Sequence, residues 1–319
     1  MESDTIDAWS SYWRSGRGAS CFAGADAELR LTEVWNELVD NLADGSRLLD
    51  LATGNGTLVR LCAARASERN IDLRIDAVDA AAIDPPKYAA DTPSLFDNVS
   101  FHGNVQLENL PFPDRSFDTV ISQFGFEYAD EVRAADEAGR VLAEGGRLRL
   151  VMHARDGAVS QDVGQRVERL QRALADNGAI TLVRTLARAA AAGDLDTLQS
   201  ASAQLPEAAR TIQDLAKDAP PDDAAVYYSR EFIRLWHHRE RYWPAELRRS
   251  IDDGWENAHG VAIRQAQMLR VARSASDVEV MSTRFGEANL VVDAVREIRD
   301  EQRGIQIAWL LDARKPSGS

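Results

Sequence analysis

The stretch Leu49-Asp50-Leu51-Ala52-Thr53-Gly54-Asn55-Gly56 decides the fold. Leu48, Leu49 and Leu51 form a short apolar run between Gly45 and Gly54. Such a run suits a strand buried on both faces. Helical spacing begins directly after it, from Thr57 to about Arg69. Glycines at a strand-to-helix junction let the backbone approach a ligand closely. The free N–H groups of the helix start add polar donors at the same place.

Upstream, the spacing Leu31, Val34, Trp35, Leu38 and Leu42 predicts a helix ending near Asn41–Gly45. Downstream, residues 73–79, 98–102, 118–123 and 147–153 read as strands, the last after the turn Glu144-Gly145-Gly146. Helical patterns over Pro85–Asp91 and 131–142 separate them. In Asp84-Pro85-Pro86-Lys87-Tyr88 the prolines suit the first turn of a helix. Strands alternating with helices imply a parallel sheet with right-handed crossovers.

After residue 156 the character changes. Residues 160–217 are rich in Ala, Leu, Arg and Gln, with helical spacing at Val163, Val167, Leu170 and Leu174. The alanine run 187–192 reads as helix. Pro220-Pro221-Asp222-Asp223 breaks the pattern, and helical spacing resumes over 224–273. Turns are predicted there near Trp243-Pro244 and Asp252–Gly254. Residues 277–283 and 305–311 read as strands, with a helical stretch over 288–301 between them.

Charge marks the same boundary. Of the 319 residues, 51 are acidic and 37 are Lys or Arg, a net charge of −14. Residues 1–156 hold 27 acidic and 15 basic side chains, whereas 157–275 hold 16 of each. The expected organisation is therefore an N-terminal flap and helix (1–45), an α/β core (46–156 with 276–319) and an α-helical insertion (157–275). An acidic chain is a poor nucleic-acid binder, because phosphate recognition needs clustered Lys and Arg. Cys21 and Cys62 are too few and too far apart for a disulfide scaffold, which favours a reducing compartment. Lacking an apolar run of about 18 residues and a signal-like N-terminus, the chain is expected to be cytoplasmic and off the membrane. The sequence is compatible with a homodimer but does not set the oligomeric state.

Further segments fall in place around the glycine turn. Asp79 ends the second predicted strand, and Glu108-Asn109-Leu110-Pro111-Phe112-Pro113-Asp114-Arg115-Ser116-Phe117-Asp118 precedes the fourth. Leu142-Ala143-Glu144-Gly145-Gly146-Arg147 precedes the fifth. In this order, these segments and the Asp-x-x-x-Gly-x-Gly turn resemble class I S-adenosylmethionine-dependent methyltransferases. The resemblance covers about 46–156 and, more weakly, 277–315. It implies a Rossmann-like, doubly wound, mostly parallel sheet, with the helical insertion as a cap between the fifth and sixth strands. It also implies methyl transfer from S-adenosyl-L-methionine to a small-molecule acceptor, leaving S-adenosyl-L-homocysteine. The residues placed at the cofactor are Asp50, Ala52, Thr53, Gly54, Asn55, Gly56, Asp79, Ala80, Asn104, Val105, Gln123 and Phe124. Asp79 would accept the ribose hydroxyls. Asn104 stands where the family usually has an acid, and this loop is about two residues longer than the usual pattern.

Two other readings compete. A NAD-dependent oxidoreductase would use Gly-x-Gly-x-x-Gly, but Val59 stands at the third position. A non-catalytic protein that keeps a cofactor pocket is the second. His153, at the end of the fifth strand, is the candidate general base. An aromatic acceptor pocket is expected from Tyr12, Trp13, Phe126, Tyr128, Trp236 and Trp243. His237 and His238 are adjacent on a helix and point apart, so no metal site is expected.

Overall fold

The computed structural model describes residues 3–14, 25–88 and 93–318. The expected helix over Pro85–Asp91 is described only as far as Tyr88, and Cys21 lies outside the described residues. Contacts divide the chain into two units, Met1–Gln161 with Met268–Ser319, and Asp162–Gln267.

The first unit is built on a seven-stranded sheet. Its strands are β1 (Arg47–Leu51), β2 (Arg74–Asp79), β3 (Val99–Gly103), β4 (Phe117–Gln123), β5 (Leu142–His153), β6 (Val291–Asp300) and β7 (Ile305–Arg314). They lie in the order β3-β2-β1-β4-β5-β7-β6. The first five strands run parallel; β7 is antiparallel to β5, and β6 to β7. Side chains alternate across the sheet, so neighbours in β1 serve opposite cores. Leu49 and Leu51 pack with α5 (Glu131–Val141) and α12 (Ala275–Glu287), through Ala134, Ala138, Met281 and Phe285. Leu48 packs on the other face with α2 (Ala25–Asp40) and α3 (Thr57–Arg69), through Trp35, Val59 and Cys62. Val59 is wholly buried at the start of α3, where a dinucleotide binder has its third glycine. This is a Rossmann-like layering with helices on both sheet faces.

The second unit is helical and falls in the chain between β5 and β6. It comprises most of α6 (Ala158–Leu174) and α11 (Pro244–Val271). Between these lie α7 (Ala179–Ala192), α8 (Leu195–Ser202), α9 (Leu205–Leu215) and α10 (Ala224–His237). Ile180, Val183, Leu186, Ile212, Phe232 and Ile251 form its own core. After the Pro220-Pro221 break, Asp223 caps α10 by accepting from the Ala225 and Val226 N–H groups.

Three expectations fail for identifiable reasons. Residues 275–287 form α12, not a strand over 277–283. Ser274 and Asp277 make a capping box, and Val278, Met281 and Phe285 share one buried helical face. Residues 291–300 form β6, not a helix over 288–301. As the edge strand it is exposed along most of its length, so it lacks the alternation that marks a half-buried strand. The predicted turn at Asp252–Gly254 is absent, because α11 runs through it unbroken. Gly254 serves packing: a Cβ there would lie 2.8 Å from the Phe232 ring of α10.

Candidate active site

Strand order reverses between β1 and β4, and an open α/β sheet leaves its ligand crevice at the carboxyl ends beside that reversal. The loops leaving β1, β2, β3 and β4 interlock there through the backbone. The Thr53 N–H donates to Val78 O at 2.9 Å, and the Val105 N–H donates to Asp79 O at 2.9 Å. Ser122 Oγ donates to Leu51 O at 2.8 Å and accepts from the Phe126 N–H at 3.1 Å. At Gly125 a Cβ would come within 2.5 Å of Ala52 Cβ, so only glycine allows β1 and β4 to end this close together.

The Asp79 carboxylate is held by this scaffold. Oδ2 accepts from the Gly54 N–H and Oδ1 from the Ala81 N–H, each at 2.8 Å. Burial pushes its pKa up to about 6, although both backbone donors pull it down. Asp50 is more deeply buried, at 1% exposure, and burial pushes it up to about 7. The nearby Thr53 hydroxyl opposes that shift, and the Asp79 charge adds to it. Two carboxyls reluctant to ionise thus stand at neighbouring strand ends.

A half-open cavity borders these strand ends. Ala52, Asp79, Ala80 and Phe124 line it. Opposite them stands α1 (Ser3–Arg14), contributing Trp9 and Trp13. The Ser10 hydroxyl accepts from the Ala82 N–H at 3.0 Å, and Trp13 O accepts from Asn55 Nδ2 at 3.2 Å. The Trp13 ring lies on the glycine turn, 2.6 Å from where a Cβ at Gly54 would stand. Gly56 takes φ +72° at the start of α3. Asn104 and Val105 line a second cavity with Gln106 and Arg133, and Gln106 and Glu108 border both cavities.

Other expected residues lie elsewhere. Gln123 ends β4, but its Oε1 accepts from Trp35 Nε1 at 2.6 Å, on the α2 side. Asp50 and Thr53 are buried and do not line the cavity. His153 is wholly buried rather than at the cavity wall. Its Nδ1 pairs with Glu127 Oε1 at 2.7 Å, and its ring stacks on Phe124 at 4.3 Å. Phe124, the ring it stacks on, is the one that lines the cavity. Phe126 is core, edge-on to Phe285 at 5.8 Å. Tyr128 and Trp13 do line the cavity, whereas Tyr12 stands beside it, edge-on to Trp13 at 4.8 Å. Trp236 is packed into the helical unit's own core, and Trp243 is 74% exposed on that unit.

Gly125, Ser122, Glu108 and Glu127 are the residues sequence reasoning missed. Glu108 opened the quoted stretch before β4 and Glu127 lay between Phe126 and Tyr128, but an acid in a loop carries no period that marks it as inward-facing.

A methyltransferase-domain family model matches residues 49–150. A ubiquinone/menaquinone biosynthesis C-methyltransferase (UbiE) of Rickettsia massiliae is 32% identical over 125 residues, covering 38% of this chain and 50% of that protein. An uncharacterized methyltransferase of Mycobacterium bovis is 34% identical over 116 residues, covering 36% of this chain and 42% of that one. The matched stretch thus spans half or less of these relatives' length. Among solved structures, a 1,6-didemethyltoxoflavin-N1-methyltransferase of Burkholderia thailandensis aligns with a TM-score of 0.46 at 10% identity, covering 98% of this chain and 88% of that one. A SAM dependent methyltransferase of Aquifex aeolicus aligns with a TM-score of 0.44 at 13% identity, covering 90% of this chain and 92% of that one. Residues 49–150 contain every described loop that walls this cavity apart from α1, and over that stretch the chain carries a methyltransferase domain similar to those of S-adenosylmethionine-dependent methyltransferases.

Proposed function

We propose that the chain transfers a methyl group from S-adenosylmethionine to a small-molecule acceptor held beneath α1. The observation that carries this reading is the buried Asp79 carboxylate, oriented by two backbone N–H groups at the wall of a cavity that no Lys, Arg or His lines among the described residues. The donor set fits the cofactor. Asp79 and Glu108 suit a ligand bearing a positive charge, and the Asp79 oxygens retain lone pairs for a ribose diol. Trp9, Trp13, Phe124 and Tyr128 add aromatic rings whose faces suit the cation. The glycine turn at Gly54 and Gly56 would take the amino-acid end, and Asn104 the adenine side.

When bound, the cofactor supplies an electrophilic methyl group on a sulfonium. The chain's own part is alignment and exclusion of water, which supply much of the rate in an in-line displacement. Phe124, packed on His153, gives the floor a fixed wall. The helical insertion takes the substrate-selecting role in this reading.

Calorimetric titration with S-adenosylmethionine and S-adenosylhomocysteine tests the proposal, followed by product detection over a metabolite panel. Both cofactor forms are expected to bind. Asp79→Ala should weaken binding at least about tenfold, the scale of a lost charge-assisted hydrogen bond. Absence of binding by folded protein refutes the proposal.

A further inference from the structure

We propose that the acceptor selected by this pocket is an aromatic compound carrying no negative charge. This rests on the methyltransferase reading above. Two walls of rings border the same cavity. Trp9 and Trp13 come from α1, stacked with centroids 5.6 Å apart and 22° between planes. Phe124 and Tyr128 come from the segment after β4, and Trp9 stands edge-on to Tyr128 at 5.7 Å and 87°. Trp9 and Tyr128 touch and join the two walls into one aromatic surface, and a flat ring laid against it finds both faces and edges, the two arrangements aromatic pairs prefer.

Charge excludes the other class. Among the described residues, Asp79 and Glu108 are the charged residues of the cavity wall. Glu108 is fixed by the Asp130 N–H, which donates to its Oε1 at 2.8 Å. Arg133 borders the neighbouring cavity and not this one. A carboxylate or phosphate on the acceptor would lose its hydration beside two acids with no counter-charge among the described residues of the wall. A neutral ring meets no such penalty.

The test compares 2-naphthol with 2-naphthoate, which share a ring system and differ in charge at pH 7.5. Each is titrated calorimetrically into the protein, with and without saturating S-adenosylhomocysteine. 2-Naphthol is expected to bind at least tenfold more tightly than 2-naphthoate. Glu108→Gln should narrow that gap at least threefold by tightening the naphthoate. Trp9→Ala should weaken 2-naphthol at least fivefold. Naphthoate binding as tightly as naphthol overturns the proposal, as does naphthol that fails to bind or is indifferent to Trp9→Ala. Failure of S-adenosylhomocysteine itself to bind overturns the methyltransferase reading instead, and the ranking of the two probes without it still decides the selectivity.

Discussion

Cofactor affinity should rise about tenfold between pH 5 and pH 8, and Asp79 sets the size of that rise. Burial pushes this carboxyl up to about 6, against the pull of the Ala81 and Gly54 N–H groups. Only the ionised form offers charge-assisted acceptance to ribose hydroxyls and a negative charge to a sulfonium. At a pKa near 6, about one molecule in eleven of the free protein is ionised at pH 5, about half at pH 6 and nearly all at pH 8. Binding that requires the ionised form therefore strengthens by about 1.4 kcal/mol over this range. The direction follows from the raised pKa: the ligand draws it down again, so uptake releases a proton. The release should be about half a proton per ligand at pH 6 and vanish by pH 8. Asp50, raised to about 7, titrates with Asp79 and stretches the rise toward neutrality. Titrations with S-adenosylmethionine at pH 5, 6, 7 and 8, in two buffers of different ionisation enthalpy, give both affinity and proton count. Asp79→Asn should flatten the profile. A wild-type affinity constant over the whole range, or proton uptake in place of release, refutes the reasoning.

Asp50 gives a stability test of opposite sign to the usual carboxylate. Its pKa is raised in the folded protein, so its contribution to stability is intact below about pH 4 and is lost as pH rises through about 7. Asp50→Asn should therefore stabilise the protein by about 2–4 kcal/mol at pH 8 and leave it unchanged near pH 4, measured by urea unfolding; equal effects at both pH values contradict this. Gly125→Ala forces a Cβ to within 2.5 Å of Ala52, and should lower stability by about 1–3 kcal/mol while weakening S-adenosylhomocysteine in calorimetry. In the helical unit, Gly254→Ala gains up to about 1 kcal/mol of helix propensity but meets Phe232 at 2.8 Å. A net loss of about 1–2 kcal/mol in denaturant unfolding is expected, and a net gain would show that α10 and α11 can separate at no cost.

The parallel half of the sheet could be read because its signals are local. Leu48, Leu49 and Leu51 serve opposite faces of one central strand, so the run needs no alternation to be recognised. The antiparallel edge could not be read in the same way. Polar residues on exposed β6 mimic a helix, and Val278 and Val280 in α12 mimic a strand, although Ser274 and Asp277 carry a legible cap. At the site, position along the chain was readable and side-chain direction was not. Ala52, Asp79, Ala80 and Phe124 reach the cavity from their strand ends. Gln123 and His153 stand at equivalent strand ends, yet turn toward Trp35 and Glu127. Those partners lie 88 and 26 residues away in sequence, a separation that no short-range period encodes.

Backbone strain ties the carboxyl-edge loops together. Ala52, Asn104 and Phe124 hold φ of +57°, +60° and +57°, each directly after the last residue of β1, β3 or β4 respectively. Left-handed backbone at non-glycine residues costs on the order of 1 kcal/mol or more each and persists only where surroundings over-determine it. The surroundings here are bonds to neighbouring strands: the Phe124 N–H donates to Val151 O at 2.7 Å, and the Asn104 N–H to Ala81 O at 3.1 Å. Ala52 is flanked by Thr53, whose N–H is taken by Val78 O, and by Leu51, whose carbonyl is taken by Ser122. Every strained residue is thus held by a strand or loop next to its own. The sheet's register therefore shapes the pocket directly, and a slip of any one of these parallel pairings would release the strain and lose the wall it supports.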